Sequence, residues 1–160
     1  MLRLSTKSQY GVRAMFEIAN SYHSGPVTIK EIAEKQSVSV PFLEQILNTL
    51  RKAGIIKSVK GPGGGYVLSK EPVHVSIGAI LRELDGPVAI TSCLDPKEGC
   101  MRIDGCVTHL LWKSLGQKIE AFLDNMTLQD LIDGQPLAAS SRGIRKKKGE
   151  RKGALIKLSL

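Results

Sequence analysis

Apolar residues recur at helical spacing near the start of the chain. Gly11, Ala14, Met15, Ile18, Ala19 and Tyr22 fall at i, i+3, i+4, i+7, i+8 and i+11, which predicts an amphipathic helix over 9–22. Gly25-Pro26 ends it. Thr28 and Glu31 have capping-box spacing, and Ile29, Ile32 and Ala33 give a short second helix. Ser39 is placed to cap a third helix with Leu43, Ile46, Leu47 and Leu50 as its stripe, and Gly54 suits its C-terminal stop. Strand-like runs at 55–60 and 66–69 follow, joined by Gly61-Pro62-Gly63-Gly64-Gly65. Three helices and a hairpin in about 70 residues is the order of a winged helix-turn-helix.

The pattern continues with a helix over 76–84, carrying Ile77, Ile80, Leu81 and Leu84 on one face. A longer helix runs from near Cys106 to about 123, with Leu111, Leu115, Ile119, Phe122 and Met126 as a stripe. So long a seam predicts packing against a second subunit, as in a coiled-coil-like dimer; the alternative is a helix lying on its own domain. Thr127 precedes a short last helix with Leu128, Leu131 and Ile132. The expected fold class is mostly α (α+β): a winged helix-turn-helix with a long C-terminal dimerisation helix. Residues 1–74 are assigned to the winged helix-turn-helix domain and 75–134 to a second unit of a loop and dimerisation helices. Residues 135–160 form a basic tail with the charge density of a disordered segment.

Composition narrows this picture. The 160 residues suffice for one good core, and 42% hydrophobic with 4% aromatic content makes that core aliphatic. No apolar run approaches the roughly 18 residues of a membrane span, and the N-terminus lacks the apolar core of a signal peptide. The expected location is therefore the cytoplasm, with no membrane partner. The net charge of +8 is uneven. Residues 1–74 carry 10 basic against 5 acidic side chains, 75–141 carry 5 against 9, and 142–160 carry 8 against 1. The tail supplies most of the excess, yet the N-terminal part is basic enough to face a polyanion.

The third helix turns Glu44, Gln45, Asn48, Arg51 and Lys52 away from its apolar stripe. Glu accepts from cytosine N4 and Gln pairs bidentately with adenine, so polar side chains near such a helix start read base edges in a major groove. Lys52, Lys57 and Lys60 fall nearer the phosphate backbone. The glycines of the hairpin tip let main chain approach a groove or a phosphate. No Gly-Lys-Ser/Thr follows them, and they join two strands, so they are not a P-loop.

All three cysteines and one of three histidines sit in 17 residues, as Cys93-x6-Cys100-x5-Cys106-x2-His109. Thiolate and imidazole suit iron–sulfur clusters, zinc or copper(I). Structural zinc sites usually contain a tight Cys-x2–4-Cys pair, which is missing here, and the wider spacing suits a loop around a larger inorganic cluster. Cys106 and His109, three apart at a helix start, can point the same way, and the helix N-terminus favours thiolate at Cys106. A zinc site or a thiol redox switch remains open. An odd cysteine count in a reducing compartment argues against a disulfide framework. No convergent acid/base set exists outside this loop, and His23 and His74 lie in turn-like segments, so no enzyme activity and no small-molecule substrate are expected.

Leu43-Glu44-Gln45, Leu50-Arg51-Lys52-Ala53-Gly54 and the run 58–66 (SVKGPGGGY) resemble the Rrf2 family of winged-helix regulators, with its IscR-like and NsrR-like branches. The opening 4–10 (LSTKSQY) and the run 106–112 (CVTHLLW) match too, so the likeness covers about 1–134. It implies a homodimeric transcription factor on a two-fold double-stranded DNA operator. It implies that Ser39, Glu44, Gln45 and Lys60 reach DNA, with Pro62, Gly63 and Gly65 at the wing. Pro41 stands where a serine is common. The IscR-like branch carries a [2Fe–2S] cluster on three cysteines and one histidine, here Cys93, Cys100, Cys106 and His109, and senses iron–sulfur cluster status to control cluster-assembly genes. The NsrR-like branch holds a [4Fe–4S] cluster that reacts with nitric oxide; His109 favours the first. The Cys93–Cys100 spacing is one residue longer than in the IscR-like pattern, and Asp95, Glu98 or Asp104 are alternative fourth ligands.

Overall fold

A computed structural model describes residues 4–91, 94 and 106–134. The order is α1 (Thr6–Asn20), α2 (Ile29–Gln36), α3 (Val40–Lys52), β1 (Ile56–Val59), β2 (Gly65–Leu68), a 3-10 turn (Pro72–His74), α4 (Ile77–Asp85), α5 (Val107–Asn125) and α6 (Leu128–Ile132). The chain is mostly helical, with one small two-stranded antiparallel sheet, in which Ile56 pairs with Leu68 and Val59 with Gly65.

Helix ends follow local chemistry. Ser5 caps α1 by accepting from the Ser8 N–H, so the helix begins before its apolar periodicity does and ends at Asn20; Tyr22 lies in the turn beyond. The capping box of α2 forms as the spacing predicts. Thr28 Oγ1 accepts from the Glu31 N–H, and Glu31 Oε2 accepts from the Thr28 N–H at 2.7 Å. The Thr28 N–H, and then its hydroxyl, donate to the Glu31 carboxylate and hold it below its ordinary value. The α3 exit is a Schellman turn: Gly54 takes φ 75°, its N–H donates to the Arg51 carbonyl, and the Ile55 N–H donates to Leu50.

Ser39 departs from expectation. It occupies the N-cap of α3, but its hydroxyl makes no capping bond. An N-cap side chain serves the N–H groups of the second and third helical residues. Pro41, the second, has none, which leaves only Phe42 to serve.

One aliphatic core runs through the described residues. Met15 and Ile18 of α1, Ile32 of α2, Leu43, Ile46, Leu47 and Leu50 of α3, Ile80 of α4 and Leu128 of α6 are all essentially buried. Helix α4 packs against α1, α3 and α5, so the core continues past residue 74. Gly11 lets α1 and α4 meet, because a Cβ there would strike Leu84.

The hairpin is stitched to the helices. Val27 bridges Tyr66, with N–H···O distances of 3.0 and 2.8 Å. A Cβ on Gly65 would strike the Val27 carbonyl, so the glycine is required by the fold itself. Gly65→Ala is therefore expected to cost about 1–3 kcal/mol, seen as a lower midpoint in urea unfolding. A midpoint equal to wild type would show that the bridge can relax.

Candidate nucleic-acid interface and ligand loop

The third helix presents its polar side as the sequence predicts. Ser39, Glu44, Gln45, Arg51 and Lys52 are exposed, and Asn48 is half-buried. Two of these positions are tied locally: Arg51 Nη2 donates to Asn48 Oδ1 at 3.4 Å, and the Gln45 carbonyl accepts from the Thr49 hydroxyl at 3.0 Å. Both leave the Glu44 carboxylate and the Gln45 amide facing solvent. Lys57, Lys60, Pro62 and Gly63 lie exposed on the hairpin, and Gly65 is half-buried at its base. The structure therefore brings the helix face and the basic wing onto one molecule, with the wing held by Val27 just ahead of α2.

Helix α1 contributes something that periodicity did not show. Tyr10 meets Phe42, in the first turn of α3, edge-on with ring centroids 5.9 Å apart. The Arg13 guanidinium sits over the Tyr10 ring, 5.2 Å from its centroid. The only sequence signal was Tyr10 and Arg13 three apart on one face.

At the other end of the molecule, Cys106 is the N-cap of α5 and His109 stands in its first turn, with the His109 N–H donating to the Cys106 carbonyl at 3.1 Å. Thr108 Oγ1 lies 3.1 Å from Cys106 Sγ. Donation from that hydroxyl, and then from the His109 backbone N–H, holds the Cys106 thiol below its ordinary value, because both bonds favour thiolate. Nδ1 of His109 is buried without a hydrogen-bond partner. A buried ring nitrogen left unpaired is costly unless something else takes its lone pair or proton. Cys93 and Cys100, with Asp95, Glu98 and Asp104, lie outside the described residues. Among the described residues no group of three or more His, Cys, Asp and Glu gathers around a common point.

Helix α5 is anchored by its C-terminal end. Arg82 Nη2 pairs with Asp124 Oδ1 at 2.7 Å, which also raises the Arg82 pKa. Gly78 lets α4 approach Asp124, and Ile77 and Leu128 exchange main-chain bonds with Met126 and Val75. The first half of α5 is different. Val107 is 80% exposed, Leu110 67% and Leu111 58%, and Phe122 further on is 48% exposed. Of the 19 residues of α5, Gly116 alone is buried. The predicted stripe thus divides: Met126 joins the core, whereas Leu111, Leu115 and Phe122 face outward. Among the described residues no helix is long and apolar enough to cross a membrane.

The profile of the Rrf2 family, described as iron-dependent transcriptional regulators, matches residues 4–134. The chain is 42% identical over 136 residues to the HTH-type transcriptional regulator IscR of Yersinia enterocolitica, covering 85% of this chain and 82% of that protein. It is likewise 42% identical to the regulator of the same name from Serratia proteamaculans, over 84% of this chain and 81% of that one. Among solved structures, T. potens IscR superposes with a TM-score of 0.70 at 40% identity, covering 89% of this chain and 94% of that one. CymR, described as the global cysteine regulator of B. subtilis, gives 0.74 at 34%, over 85% and 100%.

Proposed function

We propose, from the premise that this chain belongs to the Rrf2 family of transcriptional regulators and not to an enzyme family, that it is a cytoplasmic homodimer that reads a two-fold DNA operator and senses iron–sulfur cluster status. The observation that carries this reading is the double load on α5. One helix presents Cys106 and His109 at its start and an uncovered apolar face along its length. Cys93, Cys100, Cys106 and His109 would hold a [2Fe–2S] cluster, which supplies a redox-sensitive and removable tie between the 93–106 loop and α5. The chemistry of the donors that are described fits: a thiol biased toward thiolate and a buried imidazole nitrogen with no other partner.

The residues themselves suggest how ligation reaches DNA. Helix α5 meets α4 through Arg82–Asp124 and the Gly78 contact. Helix α4 in turn holds the start of α1. Ser5 Oγ donates to Asp85 Oδ1 at 2.6 Å, and Lys7 Nζ donates to the Leu84 carbonyl at 3.2 Å. Tyr10 then abuts Phe42 in the recognition helix. Ligation at Cys106 and His109 would bias the pose of the two recognition helices along this chain of contacts, an ordinary coupling free energy between two sites. Glu44 and Gln45 read base edges, while Asn48, Arg51, Lys52 and Lys60 with the 62–65 tip hold the backbone.

A second reading has its own support. A depressed thiol pKa also suits a zinc ligand or a thiol switch at Cys106. Elemental analysis of anaerobically purified protein separates the two. Iron and acid-labile sulfide in equal amounts, with visible absorption and a paramagnetic signal on reduction, are expected. Zinc without sulfide, or metal-free protein with oxidisable thiols, would replace the cluster reading.

A further inference from the structure

We propose that Arg13 of α1 is a DNA-phosphate contact, held beside the helix-turn-helix by Tyr10. The proposal extends the DNA-binding reading and rests on it. Its placement comes from two flanking contacts. On one side, Tyr10 meets Phe42 in the first turn of α3. On the other, Glu17 meets Lys35 and Gln36 at the end of α2. Residues 10, 13 and 17 share one face of α1. Arg13 therefore lies over the turn between α2 and α3, the part of the motif that borders the DNA backbone when α3 enters the major groove.

Its guanidinium is also left free for an anion. Glu17, one turn on, would be its natural partner, but both oxygens are taken. Oε2 accepts from Lys35 Nζ at 3.1 Å and Oε1 from Gln36 Nε2 at 2.8 Å. The Arg13 guanidinium instead lies over the Tyr10 ring, a cation–π contact that consumes none of its N–H donors. It is exposed, and among the described residues it makes no ion pair. The Ser39 hydroxyl at the start of α3 is exposed and makes no capping bond. A guanidinium carried by Tyr10, which itself abuts the first turn of α3, suits a phosphodiester oxygen near that helix start.

The test measures duplex binding by fluorescence anisotropy across a potassium chloride series. One probe is a scrambled duplex of about 30 bp, roughly three helical turns. The other is a duplex of the same length selected by the wild-type protein from a random pool. For Arg13→Gln, the slope of log affinity against log salt should shrink by about 2 per dimer on both duplexes. Affinity should fall roughly ten- to a hundredfold at low salt. The ratio between the two duplexes should stay the same. Arg13→Lys should keep the slope, and both variants should unfold at the wild-type temperature. A wild-type slope in Arg13→Gln overturns the contact. So does lost discrimination at unchanged slope, which would mean that Arg13 only props Phe42. If wild-type protein shows no salt-dependent binding to either duplex, the DNA-binding reading itself fails.

Discussion

Anaerobically purified Cys106→Ala protein is expected to be colourless, with visible absorption lost completely and iron at background. In the proposed site Cys106 stands at the start of α5, so the helix fixes the position of its thiol. Its thiol is already biased toward the ligating thiolate by Thr108 and the His109 N–H. The fold should survive the change. Cys106 is a half-buried N-cap that makes no capping bond, so stability should stay within about 0.5 kcal/mol of wild type. Cys93→Ala and Cys100→Ala should behave alike, and His109→Ala should retain iron with a shifted spectrum, since one of four ligands is then replaceable by Asp95, Glu98, Asp104 or solvent. Persisting colour in the Cys106 variant would remove it from the ligand set.

If the proposed dimer forms through α5, Leu111→Glu with Phe122→Glu should yield a monomer and cut operator affinity by about 10²–10⁴, the scale of avidity lost when two linked half-sites bind independently. Both side chains lie outside the core, at 58% and 48% exposure, so the double variant should leave the fold of the chain intact. Burying a large aliphatic or aromatic side chain contributes about 1.5–3 kcal/mol, and a two-fold interface counts each position twice. Sedimentation gives the oligomeric state, and circular dichroism confirms that helix content is unchanged. A variant that stays dimeric at the wild-type concentration would place the interface elsewhere than on α5.

Much of the fold was legible because its signals are local. The capping box at Thr28 and Glu31 needs only four residues, and it forms as read. The stop at Gly54 needs one residue able to take positive φ, and the Schellman bonds follow. The stripes of α3 and α4 gave the buried faces position by position. The family motifs were equally local runs, and the family they resembled is the one to which the chain belongs. Where reading failed, the cause was a neighbour. Ser39 has the right type at the right place, but Pro41 removes one of the two donors it would serve. Helix α1 began early because Ser5 caps it, although polar residues at 6, 7 and 9 show no period.

The sequence by itself determined the element order, the polar face of α3, the glycine-rich wing and the clustering of every cysteine beside His109. These depend on period, cap chemistry and residue type, which act over a few positions. Only the tertiary structure decided that Gly65 is demanded by the Val27 carbonyl, that α5 is fastened at Asp124 and Met126 while its start stays uncovered, and that Glu17 is already engaged so that Arg13 is not. Each of these is a contact between residues distant in the chain or a competition among several partners for one group. Such outcomes are set by how the whole core packs, because a single aliphatic interior fixes the distances between helices that no local pattern encodes.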